Sequence, residues 1–564
     1  MKKILYLIFV LGIALVVGCF LYFRLVVPYH VGFKEQMLLF VYSSSYIFSY
    51  FTKPAALACL GGDFLTQFFY FKTAGALVIT LLFITEWGLI FLTLKRFAVK
   101  RYALLWSLLP VIIEWIFFQI TSFSASFSVS FIITLSAFIT YSGTERKTSV
   151  AVGIILIPVL YMIAGASVFL FLTLAILYNI YNNRNRFVYW IIMFGVTLFL
   201  PFILRHSYLL TLEQAYFYPF SGIKEGLSLV AMALLVLFFV CFKRLRGQNK
   251  GASYFVTTSV VLAFILITGL YKYTDIKQEN LLGIVIEAYH NDWDKVLDIA
   301  EKAELRSPVT TCYINIALSK KSLLGERLMD FYQPFTAGLL LPIAPTSDKF
   351  TIFTGNDAYF HIGDMEMAQH AAMLGMIFST HQRSARMAER LFEINMIKGD
   401  MPAASKYMRM LESTLFHKIK QDRLKDLPQQ GVFLKDIIRS PSNVKTSLEL
   451  LTESDPNNLP ALNYLLCYHL LNKDISAFFN AYTTYFKGRF SPVPKIYAQA
   501  LLICFAGRKS SIEEVTGYGI SQDMIRSFGE YTVIYERSGG KLAPVREKFP
   551  DTYWLFYHFA KQEK

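Results

Sequence analysis

The chain has 564 residues, of which 55% are hydrophobic, 16% aromatic and only 17% charged, and its mean hydropathy is +0.43. Soluble globular chains carry about 25% charged residues, so this one lacks the polar surface that three or four independent soluble domains would need. The same figures exclude disorder, a collagen-like chain and a small disulfide scaffold. A net charge of +15 could mark a nucleic-acid binder, but residues 1–272 hold 21 Lys+Arg against 7 Asp+Glu, whereas residues 273–564 hold 34 against 33. The excess belongs to the hydrophobic half, and no nucleic-acid partner is expected.

That half contains apolar runs of the ~20 residues that cross a bilayer as a helix. Nine spans are predicted, over 4–23, 74–94, 102–120, 124–142, 149–164, 166–181, 187–204, 226–242 and 253–271. Lys and Arg in short loops set orientation. With nine spans, Lys2, Lys3, Lys95, Arg96, Lys100, Arg101, Arg146, Lys147, Arg184, Arg186, Lys243, Arg244, Arg246 and Lys250 share one side, opposed there only by Glu145. The expectation is an inner-membrane protein with a cytoplasmic N-terminus and with residue 273 onward outside. Val16-Val17-Gly18-Cys19 is similar to a lipoprotein signal box, but Phe20-Leu21-Tyr22-Phe23 continue the apolar run, which favours an ordinary first span. The six cysteines show no C-x-x-C pair and no zinc spacing; Cys59, Cys312, Cys467 and Cys504 fall on the outer side, mostly as buried thiols.

Two outer loops are long enough to matter, 24–73 and 205–225. In the first, a helix-compatible stretch begins at Phe33 and runs to about Phe51, and a second follows Pro54 through Asp63 to Phe69. Such aromatic-rich helices suit the membrane interface. They either cap the bundle or hold Glu35, Gln36 and Asp63 beside the lipid head groups. In the second loop, Arg205 and His206 either snorkel or clamp a lipid-linked phosphate, for which arginine supplies a fixed donor fork. Lys53, Lys72 and Lys224 are weaker auxiliaries. Glu86 and Glu114 are the two intramembrane acids. Burying a charged carboxyl in a span costs about 2.5 kcal/mol or more, which favours neutral, hydrogen-bonded structural glutamates that need not meet.

From Asn280 the pattern changes to amphipathic helices joined by short turns. Asn291-Asp292, Gly363-Asp364, Gly399-Asp400 and Lys473-Asp474 form similar corners, spaced near multiples of 36 residues. This resembles degenerate tetratricopeptide repeats, with a period of ~34 and a Gly-Asp-type turn, and implies a concave surface for a protein partner. The expected domains are 1–272 in the membrane, 273–511 as repeats and 512–564 as a C-terminal helical cap. Residues 333–357, with Pro334, Pro342, Pro345 and Gly355, read as a long loop, functional or disordered, whose Leu339-Leu340-Leu341 touches the membrane surface or first loop. The C-terminal aromatic run 553–559 reads as a packed helix, not a ligand cage. No H-E-x-x-H, phosphate loop or G-x-S-x-G occurs, and His361, Asp364 and His370 read as a solvated helix face.

The layout of one span, a long outer loop with an early carboxylate, many spans and an outer domain resembles the GT-C membrane glycosyltransferases. The resemblance covers residues 1–272 and rests on arrangement. It implies sugar transfer from a polyprenyl-phosphate donor at the outer face, with Glu35 as catalytic acid residue, Asp63 as a second carboxylate, and Arg205, His206 and Lys53 as donor-phosphate ligands. A divalent cation is an optional cofactor. The whole chain also resembles an uncharacterised family of bacterial envelope proteins that join such a membrane part to helical repeats. The competing function is a membrane-anchored scaffold whose repeats recruit envelope proteins.

Overall fold

A computed structural model describes residues 2–99, 102–145, 148–182, 187–220, 223–242, 252–419, 443–489 and 492–561. Among these residues every regular element is helical, as expected of an all-α chain. The chain divides into two compact units, Met1–Glu279 with Glu412–Lys418, and Asn280–Leu411 with Ile419–Lys564.

In the first unit, six helices are long and apolar enough to cross a membrane: Lys72–Arg96, Ala125–Ser142, Ser149–Tyr181, Phe187–Leu204, Lys224–Cys241 and Ser253–Tyr273. A seventh is added if Val10–Val26 and Pro28–Gln36, bent by 70° at their junction, form one span. The architecture is compatible with a multi-pass membrane protein, and six or seven candidate spans stand where nine were expected, for three local reasons. The first apolar run breaks before Pro28, which can start a helix but cannot continue one. Ala103–Phe118 is apolar but too short. Ser149–Tyr181, predicted as two spans, is one helical apolar run of 33 residues that passes through a 3-10 turn at Gly165–Ser167. Lys100, Arg101, Arg146, Lys147, Arg184, Arg186, Lys243, Arg244, Arg246 and Lys250, on which the predicted orientation largely rests, lie outside the described residues.

The first outer loop also departs from expectation. The helix Pro28–Gln36 ends where the predicted one had barely begun; residues 37–43 are not α-helical, and short helices follow at Ser44–Ser49 and Ala56–Thr66. Pro28–Gln36 does not lie on a surface either, since His30, Val31, Phe33, Lys34, Glu35 and Gln36 are all buried. Ala56–Thr66 packs along Ala125–Ser142 so closely that a Cβ at Gly62 would sit 2.3 Å from the Ser126 backbone nitrogen. A glycine is required there, as in other close helix contacts inside membranes. Cys19 lies within the first helix, buried, and accepts from the Thr80 hydroxyl at 3.8 Å.

The second unit repeats one corner four times. Asn291, Gly363, Gly399 and Lys473 all have left-handed backbones, with φ of 59, 89, 72 and 60°. Each is followed by an aspartate whose carboxylate accepts a backbone N–H three residues on: Asp292 from Lys295, Asp364 from Met367, Asp400 from Ala403 and Asp474 from Ala477, at 2.9–3.2 Å. The left-handed residue ends one helix and the aspartate caps the next. Asp364 is thus occupied as a cap, and His361 meets the Ser319 hydroxyl through Nε2 at 2.8 Å.

Two expectations for this unit are corrected. Residues 349–357 belong to the helix Lys349–Ile362, so the interruption is shorter than predicted. Leu339, Leu340, Leu341 and Ile343 are buried in the unit's own core rather than available to a membrane surface. The C-terminal part is four short helices, Ile512–Thr516, Gln522–Arg537, Leu542–Lys548 and Tyr553–Phe559, of which the last buries Tyr553 and Trp554. Cys312, Cys467 and Cys504 are buried free thiols.

Burial, with Lys320 nearby, pushes the His361 imidazole down from 6.5 to about 3. The folded unit holds this ring neutral while an unfolded chain takes a proton below pH 6.5, so stability is lost as pH falls through that window. Acidification from pH 6.5 to 5 is expected to cost up to ~2 kcal/mol through this group, at 1.36 kcal/mol per unit. His361→Gln should flatten the dependence of the thermal midpoint on pH, and an unchanged slope would rule the group out.

Candidate functional site

The buried helix Pro28–Gln36 organises the polar groups of the first unit. Its first turn leaves N–H groups without intrahelical acceptors. The Glu279 carboxylate takes two of them, from Tyr29 at 2.7 Å and from His30 at 3.1 Å, and also pairs with His30 Nδ1. One acid from far along the chain therefore caps the helix and complements its dipole. On the same helix the Lys34 ammonium donates to the Phe118 carbonyl and lies 4.1 Å from the centre of the Phe118 ring. It serves the end of the helix Leu108–Phe118, where carbonyls lack partners. Beside it Tyr22 donates to Gln119 Oε1 at 2.6 Å and meets the Thr274 hydroxyl at 2.7 Å.

Glu35, one residue on from Lys34, is 4% exposed. Its carboxylate Oε1 lies 2.5 Å from His417 Nε2. His417 belongs to the stretch Glu412–Lys418, which counts with the first unit although its neighbours in sequence belong to the second. Three contacts fix that stretch. Tyr42 N–H donates to the Ser413 carbonyl at 2.8 Å, Phe416 stacks on Tyr70 at 5.8 Å, and the Tyr70 ring meets the His417 imidazole edge-on at 5.2 Å. The His417 backbone N–H donates to Thr414 Oγ1 at 3.2 Å. A buried carboxylate held against an oriented imidazole is an arrangement that can accept a proton and pass it on.

Asp63 occupies a separate polar pocket. It accepts from Tyr50 at 2.7 Å, and Tyr50 in turn meets Tyr46 at 2.8 Å. Burial, reinforced by Asp63 and Tyr46, pushes the Tyr50 phenol up. Burial followed by the charge of Asp63 pushes the Cys59 thiol up to about 12. The same two causes, with Cys59, raise the Tyr218 phenol of the second outer loop. This pocket keeps hydroxyls and thiol protonated around one acid.

Arg205 and His206 meet one another, with the guanidinium Nε 3.3 Å from the imidazole Nε2 and stacked 4.6 Å above Phe202. Lys53 is exposed. Glu35 is placed against His417, Asp63 against Tyr50, and Arg205 against His206. No group of three His, Cys, Asp or Glu able to hold a metal occurs among the described residues. Glu86 and Glu114 are the two intramembrane acids of the sequence reading. Both are buried, and Ser128 donates to Glu114.

His417 and Glu279, the partners that define the polar cluster, were missed by sequence reasoning. Each lies hundreds of residues from the group it holds, and neither sits in a recognisable motif. A family model described as a family of unknown function (DUF6057) matches residues 2–560. No curated protein and no solved structure matches the chain.

Proposed function

The chain belongs to this family of unknown function, whose membership carries no activity, and from its own side chains we propose that it is a membrane-embedded transferase acting on a lipid-borne substrate. The observation that supports this is the buried Glu35–His417 pair, 2.5 Å apart, on a helix set at 70° to the first apolar segment. In the GT-C-like form of the reading, Glu35 accepts the proton of an acceptor hydroxyl while that oxygen bonds to the sugar carbon. The sugar–phosphate bond breaks with its electron pair on the departing polyprenyl phosphate. His417 orients Glu35, and Arg205, His206 and Lys53 are the proposed outer-face phosphate ligands, with a divalent cation optional. The proposed orientation places the N-terminus in the cytoplasm and the second unit outside the inner membrane.

The repeated Asp-capped corners favour a second reading, in which the tetratricopeptide-like second unit is a scaffold that recruits envelope proteins. Reconstitution in liposomes with radiolabelled polyprenyl-phosphate hexoses separates the two. The transferase reading expects release of polyprenyl phosphate by the native chain and at least 100-fold less by Glu35→Gln, the size expected from loss of a general base. Release unaffected by Glu35→Gln, or none with any donor of the panel, would sink it.

A further inference from the structure

A cavity of about 670 Å³ in the second unit lies between residues 329–337 and the last two helices. That is the range of sites that enclose small ligands or short chain segments. Its walls are fixed by the protein itself. The Gln333 amide donates to the Leu328 carbonyl at 2.8 Å and pairs with Asn315, and the Lys473 ammonium donates to the Ala560 carbonyl at 2.5 Å. Phe335 is held in a left-handed conformation, φ 50°, which bulky residues avoid, with its ring centre 5.5 Å from that of Phe556. Backbone strain of this kind persists only where the surroundings impose it, and it gathers at binding sites.

The lining is chemically one-sided. Its charged residues are Arg546 and Lys561, both positive, and no acid lines it. Among the described residues neither cation has a carboxylate partner. Around them stand aromatic and aliphatic side chains, including Leu542 and Leu555. A sugar chain would need acceptors for its hydroxyls, yet no carboxylate lines the cavity and its one side-chain amide is spent on the protein's own backbone and on Asn315, which leaves the hydroxyls of Tyr332, Thr336 and Thr552.

We propose that this cavity binds a short acidic peptide segment, with an aromatic or aliphatic side chain against Phe335 and Phe556 and carboxylates on Arg546 and Lys561. Cation–carboxylate contacts at the rim and an apolar anchor in the centre are a common division of labour in peptide recognition. The site stands apart from the Glu35–His417 pair and does not rest on the transferase reading.

The test is fluorescence anisotropy on the full chain in detergent, with labelled Gly-Asp-Phe-Glu-Leu-Gly, its amide analogue carrying Asn and Gln, and a basic analogue carrying two Lys. The acidic peptide should bind at least tenfold more tightly than the amide analogue. In the double variant Arg546→Glu, Lys561→Glu, whose changes fall at the rim, the preference should reverse toward the lysine peptide. Equal binding of the three peptides, no binding at millimolar concentration, or a preference that survives the double variant would overturn the proposal. Binding of oligogalacturonate in place of every peptide would do so in favour of an acidic glycan.

Discussion

Asp357→Ala is expected to destabilise the second unit by about 3–5 kcal/mol, the cost of removing one member of a buried ion pair. The Asp357 carboxylate stands between two guanidinium groups. Arg386, 2% exposed, donates to its Oδ2, and Arg390 donates to its Oδ1 at 3.0 Å. Tyr313 donates to Oδ2 at 2.8 Å, and Arg386 is held further by the Tyr313 oxygen and the Val285 carbonyl. Without Asp357, the buried Arg386 loses this counter-charge in a place where water cannot replace it, while Arg390 keeps Glu393 at 3.2 Å. Arg386→Met should cost less, because Asp357 keeps Arg390 and methionine fills much of the volume. Hydrogen exchange in the helix Ala385–Lys398 reads the loss locally, independently of how the first unit unfolds. Equal exchange in both variants would show that the pairing is not what holds these helices.

That network also shows where sequence reasoning stops. The four corners were legible because they are local: in each, an aspartate caps the helix that follows and the residue before it is left-handed. The apolar helices were legible by length and composition. Their number was not, because the chain turns by 70° at Pro28, and a break in direction leaves the hydropathy of a window unchanged. Glu35 and Asp63 could be singled out as acids in an apolar loop. Their partners could not, since Glu35 meets a histidine 382 positions away and Asp63 sits among tyrosines that read as interfacial aromatics. Glu86 and Glu114 stand on adjacent helices whose relative rotation no periodicity reveals.

The Glu35–His417 pair yields the other large effect, because two substitutions at one contact should part company. Glu35→Gln keeps a side chain of the same shape that still accepts a hydrogen bond from His417, but it cannot take up a proton from a substrate. Transfer should fall at least 100-fold, while the stretch Glu412–Lys418 stays in place. His417→Ala removes the 2.5 Å partner of a carboxylate that is 4% exposed, and with it the ring on which Tyr70 rests. Loss of a hydrogen bond to a charged group costs roughly 1.5–3 kcal/mol, enough to raise the exchange of the amides this stretch protects about tenfold or more. Tyr42 is the reporter, since its N–H is taken by the Ser413 carbonyl. A general-base role predicts lost transfer with unchanged Tyr42 protection in Glu35→Gln, and loss of both in His417→Ala. If Glu35→Gln also frees Tyr42, the carboxylate serves to fasten the chain, and the chemistry must be sought at another acid of the first unit.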